Sequence, residues 1–421
     1  MQSSIKLRLT VMNFLQFAVW GAYLTSMGRY LGTAGFGSEI GNFYAMQGLV
    51  SLFMPALMGI VADRWIPAQR LLGLCHMLAG MLMLGVFLYT QTDTPSYPTL
   101  FALYSLSVAF YMPTLALSNS VAYTSLDQAG LDLVKSFPPI RVFGTVGFIC
   151  TMIAVSLLGL EATSGQFAVS AIISLVLAVY AQTLPNCPTA PKGQSKSLVE
   201  ALGLRAFVLF KQRKMALFFI FSMLLGVSLQ ITNGFANPFI STFGEIPAYA
   251  DTFGVKYANI LISLSQLSET LCILLIPFAL RRFGIRRVML IAMVAWVLRF
   301  ALLGLGNPGS GVWLFLLSMI VYGVAFDFFN VSGSLFVDKE TDPSIRSSAQ
   351  GLFMIMTNGI GATLGSLGAQ AVVNHFVHTE HDTTAILAGW SMSWYVFAAY
   401  AAVVAVLFAL LFRYNTATEA K

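Results

Sequence analysis

The stretch LLSMIVYGVAFDFFNVSGSLFV, residues 316–337, is apolar enough to lie in a lipid bilayer and carries one acid, Asp327, near its middle. Three aromatic residues, Phe326, Phe328 and Phe329, flank that acid in the sequence. A carboxylate at bilayer depth costs about 2.5–3.5 kcal/mol on insertion scales. Such a group is retained mostly where it faces a cavity, a partner or an ion path, so Asp327 is the first candidate functional residue.

The composition of the whole chain is that of a membrane protein. Of its 421 residues, 57% are hydrophobic and only 10% are charged, whereas about 25% of the residues in a soluble domain are charged. A chain of this length can hold about twelve spans of roughly 20 residues. The net charge of +6 is explained by basic residues in cytoplasmic loops. Outside the spans, the sequence has no basic-aromatic patch long enough for nucleic acid, so no nucleic-acid partner is predicted.

Twelve apolar runs of about the length of a membrane span follow one another along the chain. They cover about 9–31, 39–62, 71–90, 98–123, 140–160, 164–184, 215–243, 257–280, 288–306, 312–337, 347–374 and 387–412. The sequence therefore predicts an all-α membrane protein with twelve transmembrane helices.

The lysines and arginines between these runs predict the orientation. All but three of them fall in loops on one side of the membrane. The exceptions are Arg29 and Lys256, which fall on the other side, and Arg299, which lies within the ninth run. Because basic residues collect in cytoplasmic loops, both termini are predicted to be cytoplasmic.

The longest inner loop, residues 185–214, predicts a division of the chain into halves of six spans each. It contains several prolines and a basic segment, so it is predicted to be a linker that contacts anionic lipid. The two halves are then residues 1–184 and 215–421.

A weak internal repeat supports two pseudo-symmetric halves. The sequence PPIR at 138–141 recurs as PSIR at 343–346, and VAF at 108–110 recurs at 324–326. Both offsets are close to half of the chain length, and the matches keep the same order. Parallel halves of this kind are typical of a large class of transporters whose site lies between them.

Polar and aromatic side chains recur at helical spacing in five of the runs, so the members of each set share one helix face. The sets are Asn13, Gln16 and Trp20; Arg141, Thr145 and Phe148; Gln230, Asn233 and Asn237; Gln266 and Glu269; and Tyr322, Phe326 and Asp327. A single carboxamide or hydroxyl more often joins helices than binds a ligand. The two acids favour function, since lone intramembrane acids are costly. For Arg141, a functional role and a structural one, in which it ends an inner loop or snorkels from the start of a helix, are equally expected.

The chemistry of these sets favours a neutral ligand that bears hydroxyl groups and a flat ring. Carboxylates and carboxamides hold neighbouring hydroxyls in paired hydrogen bonds, and aromatic faces stack on a heterocycle. A sugar without a base would need the first set and could also use the second.

Other motifs give weaker indications. Gly59, Asp63 and Arg64 form a Gly-x-x-x-Asp-Arg pattern at the end of the second run. A charged tight turn explains it, and a conformational latch is the functional alternative. The sequence has no His-Glu-x-x-His, Gly-x-Ser-x-Gly or P-loop pattern, which weighs against an enzyme or an ATP-driven pump. No cofactor and no metal site are predicted.

Five long sequence blocks carry a resemblance to a known family. They are FPPIRVFGTVGF (137–148), FFIFSMLLGVSLQITN (218–233), SQLSET (265–270), AWVLRFAL (295–302) and SMIVYGVAFDFFNVSGSLFV (318–337). With the six-plus-six layout, they make the chain resemble the bacterial nucleoside:proton symporters of the NupG and XapB type, within the major facilitator superfamily. The similarity extends from about residue 14 to residue 373, and the YegT branch is one place within the family where the chain could belong.

The resemblance implies a carrier that imports nucleosides with protons across the bacterial inner membrane, and we expect this carrier to be a monomer. The family's functional residues correspond here to Arg141, Thr145, Phe148, Gln230, Asn233, Gln266, Glu269, Phe326 and Asp327. One departure is Ser228, because the family pattern has an acid directly before the Leu-Gln pair of helix seven. Because of this departure, the resemblance does not establish that the substrate range or the proton coupling matches that of the relatives.

We expect the polar groups of helices seven and eight to hold the ribose, namely Gln230, Asn233, Gln266 and Glu269. The base is expected to stack on aromatic side chains. A proton-coupled sugar symporter of the same superfamily is the alternative within transport, and a membrane-embedded sensor or enzyme is the alternative from another class.

Stacking of the base is assigned to Phe148 and Phe326, in line with the aromatic faces of their helices. Proton coupling is assigned to Asp327, with Glu269 as the competing carrier. Arg141 is expected to pair with Asp327 in one conformation and to release it in another.

Overall fold

The structure is a computed structural model that describes residues 2–189, 204–342 and 345–414. In these ranges the chain is helical throughout apart from short turns, and it contains no strand. About half of the predicted linker at 185–214 lies outside the described residues.

Before the linker, each of the first two spans consists of two helices separated by a short break. They are α1 (Gln2–Gly21), α2 (Met27–Thr33), α3 (Ile40–Ser51), α4 (Met54–Arg64), α5 (Ala68–Tyr89), α6 (Tyr97–Gln128), α7 (Leu133–Leu157) and α8 (Gly165–Tyr180).

The helices after the linker include one of 48 residues that turns back on itself. They are α9 (Arg213–Leu229), α10 (Ile231–Thr242), α11 (Pro247–Ala250), α12 (Phe253–Lys256), α13 (Ala258–Leu305), α14 (Val312–Glu340), α15 (Arg346–Met354), α16 (Ala362–Phe376) and α17 (Thr383–Leu411), with a π-helical segment at Ile355–Gly361 between α15 and α16.

Twelve spans account for the described part of the chain. Ten helical segments there are long and apolar enough to cross a membrane. One of them is α13, which contains the predicted eighth and ninth runs and reverses at Gly284. Gly284 has φ 76°, ψ 161°, a conformation that only glycine adopts readily. Counting α13 twice and adding the first run, which α1 and α2 cover together, gives the twelve, so the predicted fold class is confirmed.

The chain packs into two compact units whose limits differ from a simple division at the linker. One unit contains residues 2–30 and the described residues from 49 to 189. The other contains residues 31–48 and the described residues after 203. The second span therefore contributes α3 to one unit and α4 to the other. The predicted domain limits at 184 and 215 stay a prediction.

Three local irregularities explain where the helices are interrupted. The second span breaks at Phe53, which has φ −132° and lies two residues before Pro55 at the start of α4. Proline is tolerated in the first turn of a helix because it lacks the N–H that an interior helical residue needs. The seventh span breaks between α9 and α10 at Gln230. The eleventh span contains the π-helical segment, a feature found frequently at functional sites.

The fifth span starts earlier than its apolar run. The run begins at residue 140, whereas α7 begins at Leu133 and includes Pro138 and Pro139. Hydrophobicity alone does not predict the start of α7, residues 133–139. This part of the helix contains Lys135 and Ser136 and precedes the apolar run. Arg141 is therefore an interior helical residue and not the residue that ends the loop.

Candidate functional site

The first unit holds the predicted arginine, threonine and phenylalanine on α7. The guanidinium carbon of Arg141 lies 4.0 Å from the centre of the Phe17 ring on α1, which is the geometry of a cation–π contact. Phe148 is 7% exposed and meets the ring of Trp20 edge-on at 6.5 Å. Trp20 in turn lies 5.9 Å from the ring of Tyr111 on α6. The structure therefore brings an arginine and three aromatic rings onto one side of α7.

Glycines permit this close contact between α1 and α7. A Cβ on Gly147 would overlap the carbonyl of Phe14, and a Cβ on Gly21 would overlap the carbonyl of Phe148. The two helices can approach this closely only because both positions lack a side chain. The backbone of α7 is thereby fixed next to α1, and with it the direction in which Phe148 projects.

A hydrogen-bonded network lies deeper in the first unit. The two nitrogens of His76 lie 2.9 Å from Ser174 Oγ and 2.8 Å from Gln16 Oε1. Gln16 Nε2 donates to Thr114 Oγ1 at 2.7 Å, and the hydroxyl of Tyr111 donates to Gln16 O at 2.9 Å. His76 is fully buried, as expected from its place in an apolar run. This network joins α1, α5, α6 and α8.

The first unit also contains a buried acid. Glu161, in the turn after α7, is 3% exposed. Arg29 Nη1 donates to Glu161 Oε2 at 3.3 Å, and Ser156 Oγ donates to Glu161 Oε1. Both carboxylate oxygens are thus held by donors. The sequence predicted only an outer-loop position for Arg29 and gave no signal for Glu161, because their ion pair joins residues far apart in the chain.

In the second unit the predicted amides of helix seven lie at its break. Asn233 Nδ2 donates to Gln230 Oε1 at 2.9 Å, and both side chains are partly exposed. One turn further on, Asn237 Nδ2 donates to Asn259 Oδ1 on α13 at 3.0 Å. Asn237 therefore joins helices seven and eight, whereas Gln230 and Asn233 keep exposed polar surface for a ligand.

The second unit places the two predicted acids on neighbouring helices that pack together, with Glu269 on α13 and Asp327 on α14. Asp327 is 4% exposed, and its Oδ2 has no hydrogen-bond partner among the described residues. Gln266 Oε1, one turn from Glu269, likewise has no partner in the described ranges. Buried polar atoms of this kind are rare, and each one needs an explanation.

The close packing of α13 on α14 places these acids together. Ser268 Oγ donates to the carbonyl of Ile320, and a Cβ on Gly323 would lie 2.5 Å from the carbonyl of Ser268. Gly323 therefore allows the two backbones to approach, in the way that small residues do at membrane helix interfaces. The approach fixes Glu269 and Asp327 on neighbouring helices.

Aromatic rings flank the acids on α14. Tyr322 and Phe326 stack with their centres 5.5 Å apart and their planes 15° apart. Trp296 meets Tyr322 edge-on at 5.9 Å. Phe326 is partly exposed, so its ring has a free area that a flat ligand could cover. Tyr322 is 7% exposed and serves mainly to support Phe326.

The remaining predicted features lie where the sequence pattern places them. Gly59, Asp63 and Arg64 lie on the last two turns of α4, which ends at Arg64. Asp63 is partly exposed and Arg64 is exposed. Throughout residues 2–189, 204–342 and 345–414, no group of three His, Cys, Asp or Glu side chains could hold a metal ion.

Comparison with known proteins identifies the family. A family model described as "Nucleoside H+ symporter" matches residues 3–417. The chain belongs to the nucleoside H+ symporter family. A relative, the xanthosine permease of Escherichia coli, is 51% identical over 416 residues, which is 98% of this chain and 97% of the permease. The YegT protein of Escherichia coli, a putative nucleoside transporter, is 32% identical over 418 residues, covering 96% and 93% of the two chains.

A solved structure of this family has the same fold. The crystal structure of the nucleoside transporter NupG matches with a TM-score of 0.89 and 46% identity, over 98% of this chain and all of that one. The family membership predicted from the sequence blocks is therefore confirmed. Of the relatives above, this nucleoside H+ symporter is more similar to the xanthosine permease and to NupG than to YegT.

Proposed function

We propose that the protein is a secondary transporter of the bacterial inner membrane that imports nucleosides together with protons by alternating access. The observation that carries this proposal is the family match over almost the whole chain, together with the buried Asp327 of the second unit, whose Oδ2 has no hydrogen-bond partner among the described residues. The xanthosine permease relative adds xanthosine to the nucleosides that the protein is proposed to carry. Both termini are proposed to be cytoplasmic, and the carrier to be a monomer.

The ribose is proposed to be held by Gln230, Asn233, Gln266 and Glu269. Carboxamides supply both donors and acceptors, and a carboxylate accepts two hydroxyl hydrogens. Gln266 Oε1, which has no hydrogen-bond partner among the described residues, and the exposed surface of the Gln230–Asn233 pair support this assignment. Such groups distinguish a hydroxyl-bearing ligand from one without hydroxyls, because an unpaired buried polar atom is costly.

The base is proposed to stack on Phe148 and Phe326. Every base has a π-face, so stacking tolerates differences between purines and pyrimidines. Arg141 and Thr145, on the same face of α7 as Phe148, are proposed to border the base, and Tyr322 supports Phe326 from behind.

Proton coupling is proposed to depend on Asp327, with Glu269 as the competing carrier and Arg141 as the partner that Asp327 gains and loses during the cycle. One proton that moves down 100 mV supplies about 2.3 kcal/mol, enough for roughly fiftyfold accumulation of a neutral nucleoside.

Gly59, Asp63 and Arg64 are proposed to act as a conformational latch at the end of α4. The linker is proposed to contact anionic lipid through its lysines and arginines.

Uptake by cells without their own nucleoside carriers tests this function. Radiolabelled xanthosine, uridine, adenosine and glucose are offered one at a time, with and without a protonophore. The proposal expects nucleoside accumulation that the protonophore abolishes and no glucose accumulation. Glucose uptake alone would instead favour the sugar symporter, and nucleoside uptake that is insensitive to the protonophore would remove the proton from the mechanism.

A further inference from the structure

Arg299 is a buried charged residue of the second unit to which the proposed function gives no role. It lies in the second half of α13, in the predicted ninth span, and is 2% exposed. An arginine keeps its charge at any physiological pH, and a charge inside the membrane is costly unless it is compensated. The position of this side chain therefore needs an explanation.

Neutral groups of α13 and α14 hold the guanidinium of Arg299 in place. Its Nη1 donates to the carbonyl of Ser318 at 2.8 Å and to Ser265 Oγ at 3.4 Å. The hydroxyl of Ser318 donates back to the carbonyl of Arg299 at 2.9 Å. Because Ser318 lies one helical turn before Tyr322 on α14, these bonds fix the guanidinium next to that tyrosine.

Two ring contacts lead from this guanidinium to the proposed base-stacking ring. The guanidinium carbon of Arg299 lies over the Tyr322 ring, 4.5 Å from its centre. Tyr322 in turn stacks on Phe326, with the ring centres 5.5 Å apart and the planes 15° apart. Ser318, Tyr322 and Phe326 follow one another at intervals of four residues on α14, so they share one helix face. Arg299 and Phe326 therefore contact the same ring.

A second side chain of α13 confines the Tyr322 ring. Trp296, one turn before Arg299, meets this ring edge-on at 5.9 Å. Trp296 is fully buried and packs on Phe300, with the ring centres 5.5 Å apart. Phe326, by contrast, is partly exposed. A confined tyrosine ring thus supports an exposed phenylalanine ring.

Helix joining explains only part of this arrangement. Serine or asparagine could join two membrane helices by hydrogen bonds without a buried charge. The hydrogen bonding of Arg299 is also incomplete, since its Nε has no partner within the described ranges. What an arginine adds is a flat cation that packs on an aromatic face. The contact with Tyr322 is therefore the feature that helix joining leaves unexplained.

We propose that Arg299 is a positioning residue for nucleoside binding, which holds the Tyr322 ring so that Phe326 is already oriented to stack on the base. This inference deepens the proposed function and rests on it. A side chain that must be ordered on binding lowers affinity, and one that is held in its bound orientation avoids this loss. Without the guanidinium, the ligand itself would have to order Tyr322 and Phe326. Affinity is then expected to fall about two- to tenfold.

The test is a double-mutant cycle on the affinity of the purified full-length protein for uridine and adenosine. Arg299→Gln, Arg299→Met and Arg299→Lys are each made with Phe326 intact and with Phe326→Ala. With Phe326 intact, the two neutral variants are expected to bind about two- to tenfold more weakly than wild type. In the Phe326→Ala background they are expected to cause no further loss, because the ring that Arg299 positions is gone. Arg299→Lys keeps a cation near Tyr322 and is expected to retain most of the affinity.

Arg286→Gln is the matched control for the loss of an arginine from α13. Arg286 joins α13 to the end of α17 by donating to the backbone carbonyls of Ala409 and Phe412 at 2.7 Å. The affinity of this variant is expected to stay that of the wild type. An equal loss of affinity in the control would assign the effect to helix joining and overturn the inference.

Three further results would overturn it. One is a folded Arg299→Gln or Arg299→Met protein with wild-type affinity. Another is the same loss of affinity with and without the Phe326 ring, which would show that Arg299 acts by a different route. The third is failure of both neutral variants to fold, which would assign the arginine to stability. Wild-type protein that binds no nucleoside would instead defeat the proposed function, so the two failures are distinguishable.

Discussion

Two buried acids, one in each unit, differ in what holds them. Glu161 in the first unit has an arginine on one carboxylate oxygen and a serine on the other. Asp327 in the second unit is just as buried, yet its Oδ2 has no partner among the described residues. A satisfied polar group stabilises one arrangement of helices, whereas an unsatisfied one has capacity left for a proton or a ligand.

The same difference separates two carboxamides. Gln16 uses both its oxygen and its nitrogen within the His76 network of the first unit. Gln266 in the second unit leaves its Oε1 without a partner in the described ranges. Both glutamines lie in apolar spans, and only their surroundings distinguish them. We therefore expect substitutions of the groups of the first unit, such as Glu161 and the His76 network, to affect stability. Substitutions of Asp327 and Gln266 in the second unit are expected to affect transport.

The largest effect is expected for Asp327→Asn. Asparagine has nearly the same shape but cannot carry a proton, so nucleoside accumulation after a pH jump should disappear while counterflow exchange is partly retained. Glu161→Gln is the matched control, and it should lower stability but keep accumulation. Wild-type accumulation by the Asp327→Asn protein in proteoliposomes would assign the proton to Glu269 instead.

Loss of ribose contacts should come next. Gln266→Ala and Glu269→Gln should abolish measurable nucleoside binding, and Gln266→Ala should leave the thermal midpoint close to wild type. Ser174→Ala should do the opposite, since it leaves His76 Nδ1 without its partner at a cost of about 1–3 kcal/mol. Binding and thermal unfolding are measured on the same purified samples. A folded Gln266→Ala protein with unchanged affinity would remove the ribose assignment.

A smaller effect is expected for the aromatic contact. Phe148→Ala should weaken nucleoside binding roughly five- to hundredfold, because stacking is worth about 1–3 kcal/mol per base. Phe143 lies on the same helix and is 45% exposed, so Phe143→Ala should leave affinity unchanged. Affinities for uridine and adenosine are compared for each variant. A loss confined to purines or to pyrimidines would show that stacking is the wrong explanation.

The smallest effect is expected at an exposed ion pair. Asp251, which follows α11, and Lys256, the last residue of α12, form an ion pair with Nζ and Oδ1 2.8 Å apart, and the hydrogen bond from Lys256 lowers the pKa of Asp251. Its contribution to stability is therefore present above the ordinary aspartate pKa of 3.8 and is lost as the pH falls below that value. Since both groups are solvent-exposed, Asp251→Asn should change the thermal midpoint at neutral pH by about 1 °C or less. A larger decrease would indicate that this loop is part of the folded core.

Local signals in the sequence were sufficient for some features of the site and not for others. The cost of an acid in an apolar run identified Asp327 and Glu269 as candidates, and helical spacing placed Gln266 on the same face as Glu269. The partners of these groups were not predictable, because a hydrogen bond between helices depends on packing that no local pattern encodes. Arg29 and Glu161 are 132 residues apart in the chain, and nothing near either residue indicates the other.

The sequence by itself determined that this protein spans a membrane, how many times, and to which family it belongs. These properties depend on the local hydrophobicity of each segment and on long characteristic blocks. Only the tertiary structure decided which polar groups are satisfied and which have capacity left. Arg299 shows the difference: the sequence places it in an apolar run, and the packing of α13 against α14 places its guanidinium carbon 4.5 Å from the centre of the Tyr322 ring.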